Sequence, residues 1–263
     1  MKNRNSNELT VCGPKAVDRL ARLHPERVHR LFFNTEQAPR YGEISRYMAA
    51  NKRIYRLVEN SELEKVAGSI HHGGVAAVID MPRLEEPGPL EIAAWCREER
   101  RLVVLDAVAN SHNLGTMVRT AAFLGIQDIL ITGGSGQEDH LVTSAMYRTA
   151  EGGMEHVQLW RIAGLAAFME RCRFRLQEPG KGILFIAADH KAALDLVDLP
   201  EKLRELPLKG VGLALVMGNE ETGISPEVGK LCQLAARIGG GGNLESLNVA
   251  QAAAIFMYML GRA

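Results

Sequence analysis

Apolar positions along the chain fall into two alternating patterns. Short, nearly continuous apolar runs at 75–79, 101–105, 128–132, 182–187, 212–217 and 234–238 predict strands, most of them buried on both faces. Between and beyond them lie stretches with helical character: Val17, Leu20, Ala21 and Leu23 on one face, then 44–51, 113–124, 162–171, 225–231 and 248–260. Residues 28–33 and 56–58 add two strands. Ser61 with Glu64 three positions on is a capping box opening another helix. Strands that alternate with helices in this way predict an α/β protein.

The pattern divides the chain. Residues 1–10 are polar and read as a flexible tail, and 11–80 form a small alternating unit. Residues 81–100 carry three prolines and many charges, and read as a linker with a helix over 90–100. Residues 101–263 predict a mostly parallel sheet covered on both faces. No repeat or low-complexity tract is present.

Composition excludes several classes. The 263 residues are 46% hydrophobic and 24% charged, ordinary values for a globular chain. Lysine plus arginine and aspartate plus glutamate both number 31, which argues against a tail-driven polyanion binder. That neutrality is a sum of opposites: residues 1–60 hold 12 basic and 6 acidic residues, and the remainder is acidic by the same margin. Cys12, Cys96, Cys172 and Cys232 are far apart and form no metal-binding spacing, which fits a reduced compartment. The polar start lacks a signal-like apolar region, and the longest apolar stretch, 249–260, is too short to span a bilayer. A cytoplasmic protein with no membrane association is expected.

Familiar phosphate and nucleophile motifs are absent. Gly133-Gly134-Ser135-Gly136 lacks dinucleotide-binding spacing and reads as a turn. His71-His72 has no third ligand in view and reads as the turn entering a strand rather than a metal site. Three other segments are more informative. In the first, a strand ends in a polar turn and a helix opens near Asn113, with Arg119 six residues on. On an ideal helix the two lie about 120° apart, so a turn at or before Asn113 is needed to aim both at one cleft. The second, Met217-Gly218-Asn219-Glu220-Glu221-Thr222-Gly223, stands at a strand's C-terminal end, where parallel sheets bind ligands. The third runs from Ile238 through four glycines to Ser246-Leu247-Asn248 and an alanine-rich helix. Taken singly, each also reads as a capped helix, a tight turn or a loop.

Together, in this order, the three segments resemble the SpoU/TrmH family of RNA ribose 2′-O-methyltransferases, within the SPOUT superfamily. The likeness covers about 101–263; residues 13–79 resemble the family's ribosomal-protein-like substrate-binding domain, and 148–157 a segment from the middle of its catalytic domain. The resemblance implies a trefoil-knotted C-terminal methyltransferase domain and a homodimer through the knot and final helix. It implies S-adenosylmethionine as cofactor, S-adenosylhomocysteine as product and no metal. Met217, Gly218, Ile238, Ser246, Leu247 and Asn248 would hold the cofactor. The substrate would be a ribose 2′-hydroxyl of tRNA or rRNA. Arg119 would activate that hydroxyl, either as a base or by positioning it, since a free guanidinium holds its proton to a pKa above about 12. Asn113, Glu220 and Asn248 would complete the catalytic set.

Two positions depart from the family pattern. Ser111 and Gly239 stand where the family usually has proline, which loosens both loops. The alternative is a non-catalytic RNA-binding or assembly homologue on the same fold.

Overall fold

The computed structural model describes residues 7–132, 141–177, 180–242 and 246–261. The chain forms two compact units, Met1–Arg83 with Asp139–His156, and Leu84–Glu138 with Val157–Ala263. The first contains β1 (Glu8–Cys12), α1 (Pro14–Leu23), β2 (Arg30–Phe33), α2 (Gly42–Ala50), β3 (Ile54–Leu57), α3 (Asn60–Ala67) and β4 (Val75–Asp80). Its sheet runs β1-β4-β2-β3. Strand β1 begins inside the stretch read as a tail: Leu9 and Val11 alternate into the core, and Glu8 pairs with Asp80 across an antiparallel register. Helix α3 also starts earlier than expected. Glu59 is its N-cap and no side chain caps it, so Ser61 lies within the first turn and the capping box does not form. His72 is buried in the turn before β4, where its Nδ1 accepts from the Gly74 N–H at 3.0 Å.

The second unit is built on β5 (Arg101–Leu105), β6 (Asp128–Thr132), β7 (Gln158–Ile162), β8 (Ile183–Ala188), β9 (Leu194–Asp195), β10 (Gly212–Met217) and β11 (Leu234–Arg237). The order is β7-β6-β5-β10-β8-β11-β9, and every pairing is parallel. Helices α4 (Pro89–Arg97), α5 (Ser111–Leu124), α7 (Leu165–Cys172), α8 (Leu199–Arg204), α9 (Pro226–Gly229) and α10 (Val249–Leu260) belong to this unit; α6 (Ser144–Ala150) belongs to the first. Strand β7 replaces the start of the helix expected at 162. Its Trp160 stacks edge-on against Trp95 at 5.8 Å and donates from Nε1 to Asp128 at 2.8 Å. Asp128 is 2% exposed, and Arg100 at 3.0 Å supplies its second partner. Gly133-Gly134-Ser135-Gly136 lies outside the described residues. Among the described residues no helix is long and apolar enough to cross a membrane.

The segment around α6 joins β6 to β7, yet its packing is with the first unit. Lys15 pairs with Glu151 at 2.6 Å, Arg148 donates to Ser69 at 3.3 Å, and a Cβ on Gly152 would meet the Arg19 side chain at 2.8 Å. Arg27 bonds Glu155 at 2.7 Å and Tyr147 at 3.0 Å. The Glu155 side chain is 1% exposed, and burial pushes its carboxyl above the usual range despite the pull of Arg27. Attraction therefore does not repay desolvation, and removing one partner strands a buried charge. Arg27→Met is expected to cost about 2–3 kcal/mol in urea unfolding, less than a fully buried pair because Arg27 reaches solvent. The double variant with Glu155→Leu should recover most of that loss. A raised carboxyl pKa gives a contribution that is most favourable below the unfolded pKa and declines as pH rises through the folded one. Glu155→Gln should flatten that decline, measured as the urea midpoint against pH.

Candidate functional site

The C-terminal ends of β6, β5 and β10 are tied together by polar groups. The Asp106 N–H donates to the Met217 carbonyl at 2.8 Å, and its buried carboxylate accepts from the Ser225 N–H at 2.8 Å. Ala107 has a left-handed φ of 58°. Its N–H donates to Thr132 Oγ1 at 2.8 Å, and its carbonyl accepts from Asn219 Nδ2 at 2.9 Å. Asp106, Thr132 and Asn219 were not among the expected site residues. The signal for Asp106 was its place, a carboxylate directly after an apolar strand.

Helix α5 starts from this edge. Asn110 caps it, accepting from the N–H groups of His112 at 2.9 Å and Asn113 at 3.3 Å. Ser111 takes the first helical position, where proline is favoured because the N–H has no helical acceptor. The cap lies in Asn110, so serine at 111 leaves it intact. The helix opens at Ser111, two residues before Asn113, so the turn that precedes it ends at Asn110. Asn113 is therefore buried in the first turn, while Arg119 is exposed farther along α5.

The segment after β10 closes on itself. Asn219 and Gly223 exchange two backbone hydrogen bonds at 3.0 Å, and Asn219 Oδ1 accepts from the N–H groups of Glu221 at 2.9 Å and Thr222 at 3.1 Å. A Cβ on Gly218 would overlap the backbone of Gly223 and Ile224. The turn thus presents Glu220 outward, where its Oε1 accepts from Asn113 Nδ2 at 2.8 Å.

The third segment joins the same network. Asn248 caps α10, accepting from Ala250 N–H at 2.9 Å and Gln251 N–H at 3.4 Å. Its Nδ2 donates to Asn113 Oδ1 at 3.3 Å. Asn113 therefore spends both ends of its amide on the other two segments, which fixes its orientation. Met217 and Gly218 are buried at the end of β10, Ile238 is half-buried after β11, and Ser246 and Leu247 are exposed. In the glycine run, Gly239 lies against the Asp195 carboxylate, so a side chain there would collide; Gly240 and Gly241 face open space. Among the described residues no group of three metal-ligating side chains occurs.

Comparisons with known proteins give the family. The SpoU rRNA methylase family matches residues 100–258, and the RNA 2′-O ribose methyltransferase substrate-binding family matches 10–85. The 23S rRNA (guanosine-2′-O-)-methyltransferase RlmB of Acinetobacter baylyi is 31% identical over 248 residues, covering 94% of each chain. The uncharacterized tRNA/rRNA methyltransferase YfiF of Escherichia coli O157:H7 is 28% identical over 261 residues, 98% of this chain but 69% of that protein. The AdoMet-bound rRNA methyltransferase of Sinorhizobium meliloti shares the fold at TM-score 0.72 and 20% identity, over 97% of this chain and 87% of that one. The chain belongs to the SpoU rRNA methylase family, with an RNA 2′-O ribose methyltransferase substrate-binding domain at its front.

Proposed function

We infer that the protein transfers a methyl group from S-adenosylmethionine to a ribose 2′-hydroxyl of tRNA or rRNA. The observation that carries this reading is the Asn113 amide held between Glu220 and Asn248, one residue from each of the three motifs. The residues present suit the cofactor. At Gly218 the backbone of Gly223 and Ile224 crosses so closely that no side chain fits, and Met217 beside it is buried. A wall of backbone polar groups and apolar surface is what an adenosine requires. Met217, Gly218, Ile238, Ser246, Leu247 and Asn248 would hold it. When bound, it supplies a methyl group on a sulfonium and leaves as S-adenosylhomocysteine. The reading includes no metal, because the sulfonium is itself the electrophile.

The chain's own residues position the other reactant. Glu220 fixes Asn113 with one carboxylate oxygen and offers the second to a ribose hydroxyl or a guanidinium. Arg119 binds phosphate beside the target and orients the 2′-hydroxyl, whose proton passes to solvent as the O–C bond forms. Arg119 shares its stripe of α5 with Phe123, four residues on, which is 88% exposed. On α10, Ile255 and Tyr258 are 41% and 47% exposed. Apolar surface of this kind next to a catalytic arginine fits a homodimer that covers it. The family's trefoil knot belongs to the same reading, supported by the passage from β10 at the centre of the sheet to β11 beyond β8, with α10 returning onto α5 and β10. The first unit, with its basic excess over 1–60, would bind the RNA, in the cytoplasm.

Purified protein given tritiated S-adenosylmethionine and total bacterial RNA should label RNA in nuclease-resistant, 2′-O-methylated dinucleotides. RNA retention with no cofactor binding by calorimetry would replace the enzyme with a non-catalytic assembly homologue.

A further inference from the structure

A cavity of about 550 Å³ lies in the first unit, between α1, the turn before α2, α2 itself and Glu151. Helix α1 puts Lys15, Asp18, Arg19 and Arg22 on one face by their spacing of three and four, opposite the buried Ala16, Val17 and Leu20. Three carboxylates line it: Asp18 pairs with Arg40, Glu151 pairs with Lys15 at 2.6 Å, and Glu43, exposed, faces two arginines that outnumber it. Arg19 and Arg22 form no ion pair among the described residues, and both line the cavity. Tyr47 of α2 lines it too, half-buried.

This lining fits a particular ligand class. Unmatched guanidinium groups bind phosphate, and an aromatic ring beside them stacks on a base. A bare anion would leave Tyr47 idle, and an apolar ligand would leave two arginines unmatched. The volume falls within the roughly 300–1,000 Å³ of small-ligand sites, enough for one nucleotide. A base inside a duplex cannot enter such a recess, whereas an unpaired one can. We propose that this cavity holds one unpaired nucleotide of the substrate RNA, with its phosphates on Arg19 and Arg22 and its base against Tyr47. The assignment rests on the RNA methyltransferase reading and gives the front unit a preference for a loop, bulge or strand end over a regular helix.

The test is fluorescence anisotropy on the full chain with a labelled mixed-sequence RNA of about 12 nucleotides, single-stranded or as a blunt duplex, over roughly 50–200 mM KCl. Arg22→Glu, at an exposed position, should weaken single-strand binding about tenfold or more, and its salt slope should fall by about 0.7 for each phosphate no longer neutralised. Arg19→Gln should act in the same direction. Tyr47→Ala should lose about fivefold or more and Tyr47→Phe should bind as wild type, since stacking needs the ring alone. Duplex affinity, cofactor affinity by calorimetry and the unfolding midpoint should stay constant throughout. Unchanged single-strand affinity and slope in both arginine variants, or an equal loss on the duplex, overturns the assignment. Methyl transfer by the same preparations separates the two readings. Transfer by wild type with unaltered binding in the variants removes the cavity alone. Selective single-strand loss in the variants, without transfer by wild type, removes the enzyme and keeps the cavity.

Discussion

Arg119→Ala is expected to lower the rate of RNA methylation by about 10²–10⁴-fold while leaving cofactor affinity and the unfolding midpoint unchanged. Stability should hold because Arg119 is exposed on α5 and the cap at Asn110 and the buried Asn113 are untouched. Lysine is a poor replacement: it keeps the charge but loses the planar fork that orients phosphate and hydroxyl together, so Arg119→Lys should stay at least about tenfold below wild type. The distance around α5 adds a sharper test. Asn113 and Arg119 lie about 120° apart on a straight helix, which raises the question of whether both serve one cleft or the sites of two subunits. If Arg119 serves the partner's site, mixing Arg119→Ala with Glu220→Ala subunits regenerates one intact site in each mixed dimer. About a quarter of wild-type activity should then return after random subunit exchange. Recovery of none, with mixed dimers verified by mass, would put Arg119 in the site of its own subunit.

The legibility of this chain followed the range of the forces involved. Strands β5, β6 and β10 were readable to the residue because they are buried on both faces and so continuously apolar. Strand β7 was not: as an edge strand, Gln-Leu-Trp-Arg-Ile mixes polar and apolar positions, and its Trp160 is held by Asp128 and Trp95, far away in sequence. Taken singly, Asn113, Glu220 and Asn248 also read as caps or turn residues, so only the ordered resemblance singled them out, and the fold brings all three to one network. The Asp195 carboxylate as the neighbour of Gly239 was invisible, since nothing local links the two. The partners of α6 were equally hidden. Residues 148–157 resemble part of the catalytic domain, yet Glu155 and Tyr147 complete their hydrogen bonds with Arg27. From charge alone, deleting residues 1–80 would weaken RNA binding and spare cofactor binding. That deletion also strips Arg27 from a carboxylate buried in the fold, so point variants such as Arg22→Glu give the cleaner experiment.

Gly218→Ala is expected to be the most damaging single-methyl change in the chain. The added carbon would overlap the Gly223 carbonyl group and the Ile224 nitrogen. These are backbone atoms locked by the paired hydrogen bonds between Asn219 and Gly223 and by the bond from Ser225 to Asp106. A clash with a flexible side chain can relax, but this one must move the turn that presents Glu220. Overpacking of this kind costs about 3 kcal/mol or more, which corresponds to a fall in Tm of roughly 6–12 °C for a domain of this size. Gly223→Ala is the matched control. Gly223 has a positive φ of 71° but open space where its Cβ would go. It should lose only the left-handed backbone penalty, about 1–2 kcal/mol. The functional outcomes should diverge further than the stabilities. Gly218→Ala shifts Met217, Gly218 and Glu220 together, so calorimetry should find cofactor affinity reduced about a hundredfold or more, equivalent to roughly 3 kcal/mol of binding free energy. Gly223→Ala should keep cofactor affinity within about tenfold, or roughly 1.4 kcal/mol. Equal losses in the two variants would mean that backbone conformation, rather than the close crossing at Gly218, is what the turn requires of its glycines.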